Sequence, residues 1–306
     1  MNESDGNRII ENKGKMVSIK STRWEELRDS VNYHAQLASE LNSRCCFRLL
    51  NPVGGGPMAG HQYFSVGSAG ATDVDSGGSS KVILAKEIMS SSASGCTPLS
   101  AQIRGVHALI SQFASELYST GKKIGIVIAT DGLPSDNRGR TTDADINEFK
   151  ACLQTLQELP VWVVVRLCTD EEKVVDFWGE IDKELELPLE VLDDLKGEAL
   201  EVKAVNPWLT YGQPLQRARE FCVQDKLFDL LDERPFTLGE RRSFAQLLLG
   251  CELPEPELDW SEFERQLKTA LAHTQPIWDP ITGSFKPWLD ASKMRPDGVR
   301  PCCNIV

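Results

Sequence analysis

The stretch that most constrains this chain is Ile124-Gly-Ile-Val-Ile-Ala-Thr130, preceded by Lys122-Lys123 and followed by Asp131-Gly132. A run of branched apolar residues without a charge reads as a strand buried on both faces, the kind that lies inside a parallel sheet. Ligands of open parallel sheets gather beyond the carboxyl ends of the strands, which is where Asp131 falls. Asp-Gly is equally the mark of a plain turn, and spacing alone leaves both readings open.

The residues upstream form a second constraint. Ser94-Gly95-Cys96-Thr97-Pro98-Leu99 is a glycine-bearing turn, and after it Leu99, Ile103, Val106, Ile110, Phe113 and Leu117 recur in steps of three and four. That stripe predicts one long amphipathic helix whose apolar side is core. Pro98 suits its first turn and Thr97 the capping position, so Thr97 has a structural reading beside a functional one.

Gly95-Cys96-Thr97-Pro98-Leu99, then helix, strand and Thr130-Asp131-Gly132, resembles two of the three parts of the metal-ion-dependent adhesion site of von Willebrand factor A (vWA) domains. The resemblance covers roughly the first two thirds of the chain. It implies a doubly wound, mostly parallel α/β sheet, with a hard divalent cation held at its top by a threonine, an aspartate and an Asp-x-Ser-x-Ser loop. By residue match, Thr97 and Asp131 are the implied metal positions, and oxygen ligands of this kind suit Mg2+, Mn2+ or Ca2+. In the family a partner protein completes the coordination with a carboxylate.

The Asp-x-Ser-x-Ser part is not in the sequence. Asp73-Val74-Asp75-Ser76 does not fit it, and Asp290-Ala291-Ser292 lies far down the chain with Met294 where the second serine belongs. In the family that loop follows the first strand and often ends in methionine, so the register aligns Met1 with its close and places the first strand and its ligands upstream. Metal affinity of the chain as it stands is therefore expected to be weak or absent.

Composition narrows the classes. Acidic residues outnumber basic ones 45 to 33, and a net charge of −12 argues against nucleic acid as a partner. The nine cysteines include no Cys-x-x-Cys, and free thiols in a reducing compartment are expected. His34, His61, His107 and His273 stand at no metal-ligand spacing. No apolar run is long enough to span a bilayer and the polar start is no signal peptide, so cytoplasmic residence is the expectation.

The chain divides by pattern into a polar leader (1–20), an α/β region (21–223), a helical appendage (224–275) and a loop-like tail (276–306). Trp24, Leu27, Val31, Ala35, Ala38 and Leu41 predict a helix capped by Ser21 or Thr22; Cys45–Leu50, Tyr63–Val66 and Val161–Leu167 predict strands, with a last weak one near Ala199–Val205. Gly77-Gly78-Ser79-Ser80-Lys81 lacks the spacing of a phosphate loop. Asp193-Asp194 reads as a solvated turn. The last four residues, Cys303-Asn304-Ile305-Val306, resemble a prenylation box, with Cys303 as the thioether site and Cys302 as a palmitoylation partner; an unmodified tail is the other reading. If lipidated, the chain would associate peripherally with membranes.

Three function classes follow. The first is a vWA-like protein-interaction module, not an enzyme, binding at the carboxyl edge of the sheet. The second is a metal-assisted hydrolase using Asp131 and Asp136, against which stands the lack of a nucleophile elbow or phosphate loop. The third is a metal-independent, lipid-anchored scaffold.

Overall fold

The computed structural model describes residues 1–295 except positions 5, 13–14, 68–77, 137, 170, 186 and 224. Cys302 and Cys303, and with them the prenylation-box reading, lie outside the described residues, as do Asp73 and Asp75. The chain forms two compact units, one of Met1–Asp193 with Glu220–Cys222, the other of Asp194–Arg219 with Val223 onward. The division precedes by about thirty residues the change to an all-helical pattern read from the sequence near residue 224, because the stretch expected as a last strand is helical.

In the first unit the polar leader is no loose arm: β1 (Gly6–Asn12) and β2 (Lys15–Ser21) pair antiparallel. Helix α1 (Arg23–Glu40) starts where the cap was expected. Thr22 accepts from the Glu25 amide at 3.1 Å and the Glu25 carboxylate accepts from the Thr22 amide at 2.9 Å, a reciprocal capping box. Strands β3 (Cys45–Arg48) and β4 (Tyr63–Val66) form an antiparallel pair, followed by α2 (Gly78–Met89). Ala35, Ala38, Phe64, Val66, Ala85 and Ile88 close a core among these elements.

The expected single helix after Thr97 is two: α3 (Leu99–Ser111) and α4 (Ala114–Thr120). The break falls at Gln112-Phe113, and Phe113, the stripe residue at the break, is exposed. Strand β5 (Ile124–Thr130) follows, then α5 (Asp143–Gln154), a short 3-10 turn (Thr155–Glu158), β6 (Val161–Leu167), α6 (Glu172–Glu184) and β7 (Leu189–Leu192).

These strands make a parallel sheet in the order β5-β6-β7, with Ile124 opposite Val161 and Thr130 opposite Leu167. The large doubly wound sheet implied by the resemblance is not what forms: among the described residues the parallel sheet has three strands, and the other sheets are two-stranded and antiparallel. The α/β character holds. On one face, Ile126, Ile128, Val163, Val165 and Leu167 pack against Leu99 and Ile103 of α3, Phe149 and Leu153 of α5, and Trp178 and Ile181 of α6. Trp178 is fully buried and meets Phe149 edge to face at 5.4 Å, a geometry worth about 0.5–1.5 kcal/mol beyond the area it buries.

The second unit begins with α7 (Leu195–Val205), where a strand was expected. Asp194 decides this locally, since its carboxylate caps the helix by accepting from the Gly197 amide at 2.6 Å. Helices α8 (Gln213–Glu220), α9 (Lys226–Glu233), α10 (Leu238–Leu249) and α11 (Trp260–Leu271) follow. The tail is more ordered than its composition suggested, with β8 (Ile277–Asp279) and β9 (Ser284–Lys286) paired as a hairpin. Asn206 anchors this core. Its amide nitrogen donates to Leu231 O at 2.8 Å and Arg234 O at 2.9 Å, and its oxygen accepts from the Phe236 amide at 2.9 Å and Trp208 Nε1 at 3.1 Å. A buried amide with all four bonds made stabilises; with fewer it would cost. Among the described residues no helix is long and apolar enough to cross a membrane.

Candidate functional site

The carboxyl end of β5 leads into Asp131, and local structure brings the turn bearing Thr97 up to the loop that follows it. The turn bearing Thr97 is pinned on both sides. Gly95 has φ +100°, and a Cβ there would stand 2.4 Å from Asn51 Cγ, so only glycine fits. Asn51 Nδ2 in turn donates to Cys96 O at 2.6 Å. Thr97 is then stitched to the loop after β5, its amide donating to Ser135 Oγ at 2.9 Å and its carbonyl accepting from the Ser135 amide at 2.9 Å.

The hydroxyl of Thr97 does not cap α3. Pro98 occupies the cap position without a side-chain hydrogen bond, and Thr97 Oγ1 instead faces Gly132, 3.9 Å from where a Cβ would stand. Thr97 and the Asp131–Ser135 turn thus share one end of the sheet.

Asp131 is held by cations of the protein itself. Its Oδ2 accepts from the Met1 amine and lies 3.5 Å from Arg23 Nη1, while the side chain keeps 19% of its surface exposed. Arg23 is the first residue of α1, placed by the Thr22 capping box. No short-range signal in the sequence pairs position 23 with position 131, so sequence reasoning missed it.

Asp136 serves its own loop. Its Oδ1 accepts from the amides of Arg138 at 2.8 Å and Arg140 at 2.9 Å, and its Oδ2 from Arg140 Nε at 3.0 Å and Nη2 at 2.9 Å. The bond from the Arg140 amide, followed by that from its side chain, holds the carboxyl below the usual aspartate range. A carboxylate bonded in this way closes a turn.

One strand over, β6 carries a charge inside an apolar run, a signal in Val161–Leu167 that the sequence reading passed over in predicting a strand. Arg166 is buried; Nε donates to Glu220 Oε1 at 2.8 Å, Nη2 to Glu26, and Nη1 to Cys168 Sγ at 3.0 Å. Glu220 Oε2 also accepts from Ser30 Oγ at 2.7 Å and lies 3.1 Å from His34 Nε2. Desolvation opposes the charge on Arg166, but Cys168, Glu220 and Glu26 outweigh it and hold its pKa above the ordinary arginine value. The centre of the network, Arg166 and Glu220, is almost wholly buried, while Glu26 at its margin is partly exposed and His34 Nδ1 has no hydrogen-bond partner.

In the second unit Glu198, Glu201 and Asp232 bring ligand-type oxygens within 4.8 Å of one another. Arg219 already engages two of the three, donating to Glu198 Oε2 at 2.6 Å and Asp232 Oδ2 at 2.7 Å. Comparison with protein-family models, with curated proteins and with solved structures finds no match.

Proposed function

We propose that the chain is a protein-interaction module of vWA-like character, not an enzyme, which engages a partner protein at the carboxyl end of β5 through Thr97 and Asp131. The observation that carries this reading is the stitching of the Thr97 turn to the Asp131–Ser135 turn by two hydrogen bonds of 2.9 Å, at the sheet end where ligands of parallel sheets collect.

The residues present do not fit a resident magnesium, manganese or calcium ion. Such ions take six or more oxygens, and a guanidinium 3.5 Å from the one carboxylate opposes a second positive charge there. In this reading Arg23 supplies the cation that the family resemblance assigns to a metal, and a partner carboxylate would pair with Arg23 and accept from Thr97 Oγ1. Binding is then independent of chelator. The committed Asp136 weighs against the hydrolase alternative.

Affinity capture with the full chain, compared with Thr97→Ala and Asp131→Asn and run with and without EDTA, tests this. The expected result is a set of proteins lost with both substitutions and retained in EDTA, while both variants keep the wild-type melting temperature. Retention of the same set by both variants would contradict it.

A further inference from the structure

The first unit holds an open cleft of about 940 Å³, within the size range of sites that take a small molecule or a short peptide segment. One wall is the loop from Gly54 to Met58, and the other is the end of α2 with the serines that follow it. Both walls are anchored. At the stem of the loop the Val53 amide donates to His61 O at 2.9 Å and Val53 O accepts from the Gly60 amide at 2.8 Å. On the other side the Ser91 carbonyl accepts from Trp24 Nε1 at 2.7 Å.

The walls offer different chemistry. Gly54 and Gly55 are exposed, and among the described residues nothing bonds to their amides or carbonyls. At Gly55 a Cβ would meet nothing within 4 Å, so the fold itself does not require glycine there for space. Bare, unbonded backbone of this kind suits close approach by a second, extended backbone. Across the cleft, the carboxylate of the exposed Glu87 has no partner. It stands on the last turn of α2, where the aligned carbonyls favour a cation. Ser92 and Ser94 add hydroxyls free to accept, and Ser94 Oγ faces Gly54, 3.4 Å from where a Cβ would stand. Among the described residues no lysine, arginine or histidine lines the cleft.

We propose that this cleft binds an extended peptide segment of a partner protein that carries a lysine or arginine, the cationic side chain lying at Glu87 and the main chain along Gly54 and Gly55. Two observations select this occupant independently. The unbonded glycine backbone supplies donors and acceptors in the pattern that a peptide main chain completes. The unpaired carboxylate, the helix end and the serine hydroxyls supply only acceptors or neutral groups for the side chain, and a net charge of −12 draws a cationic partner. An acidic or phosphorylated segment would meet Glu87 with no cation in the cleft to offset it. The inference does not rest on the Thr97–Asp131 reading, since its groups lie in the Gly54–Met58 loop and at the end of α2.

Selection of a random heptapeptide library on the immobilised full chain, followed by calorimetric titration of the enriched peptides, tests it. The expected result is an enriched set with lysine or arginine fixed at one position. Replacing that residue by norleucine in the peptide weakens binding at least about tenfold, and so does Glu87→Gln in the protein. Gly55→Val, which fills the cleft without changing its charge, weakens binding by a similar factor. No enriched set, a set without a basic position, or peptides that bind both protein variants as tightly as wild type, overturns the proposal.

Discussion

Arg166 and Asp131 lie at the ends of adjacent parallel strands, Arg166 opposite Ala129 and Asp131 one residue beyond the last pair, yet they answer to different physics. Arg166 is sealed from water and divided among Glu26, Glu220 and Cys168. Asp131 keeps part of its surface exposed and meets the Met1 amine and Arg23 on one oxygen. A buried guanidinium shared among two carboxylates and a thiol offers little to a ligand from outside. A half-open charge beside a pinned hydroxyl can still take a partner. Position at a sheet end is therefore insufficient to mark a site; what matters is the capacity left after the protein has satisfied itself.

Removing one member of the buried group should show the largest effect. Arg166→Met takes a buried guanidinium away from Glu220 and from the partly exposed Glu26, and is expected to lower the unfolding free energy of the first unit by about 3–5 kcal/mol. Chemical denaturation followed by tryptophan fluorescence reads this. A loss below about 1 kcal/mol would place Arg166 in the same class as Asp131 and erase the distinction.

A smaller effect is expected at the helix that supplies residues to both regions. α1 carries Arg23 toward Asp131 and Glu26, Ser30 and His34 toward Arg166, and the Thr22 box starts it. Thr22→Ala should cost about 1 kcal/mol, and Thr22→Ser should restore it. Equal loss from both substitutions would show that the methyl packing of Thr22, and not the cap, matters.

The smallest effect is expected for a solvent-facing pair in the second unit. Arg234 grips Glu240 through two bonds of 2.6 and 2.9 Å and holds its carboxyl down at about 2, against an ordinary glutamate value of 4.5. A carboxyl depressed on folding contributes stability that is fully present above about pH 4.5 and is lost as pH falls toward 2. Because the Arg234 side chain is 42% exposed, water screens the pair and the contribution should stay under about 1 kcal/mol. Melting curves of wild type and Arg234→Ala should therefore differ slightly at pH 7 and converge near pH 2.

How much of this could be read from the chain follows from the range of the forces. Capping and strand composition are local, so the Thr22 start of α1, the apolar β5 and β6, and the Gly95–Thr97 turn were legible. Ala199–Val205 was misread because valine and alanine fit a strand and a helix alike, and the Asp194 cap chose the helix. The hairpin of Gly6–Ser21 escaped notice because its apolar residues are few and its stability lies in pairing. The exposure of Val127 shows the limit most clearly. A two-sided apolar pattern asks that both faces be covered, but does not say which segment covers them. The cation beside Asp131 comes from position 23, and contacts across such separations leave no periodic trace.

The central claim is that the turn between Asp131 and Ser135 touches a partner without a metal ion. A photo-crosslinking residue placed at Leu133 in the full chain, with Tyr118 on exposed α4 as the control position, tests this most directly. The account predicts crosslinks to another protein from position 133 that persist in EDTA and are lost on Asp131→Asn, with none of these from position 118. Crosslinks from position 133 that vanish in EDTA, or the same products from both positions, would contradict it.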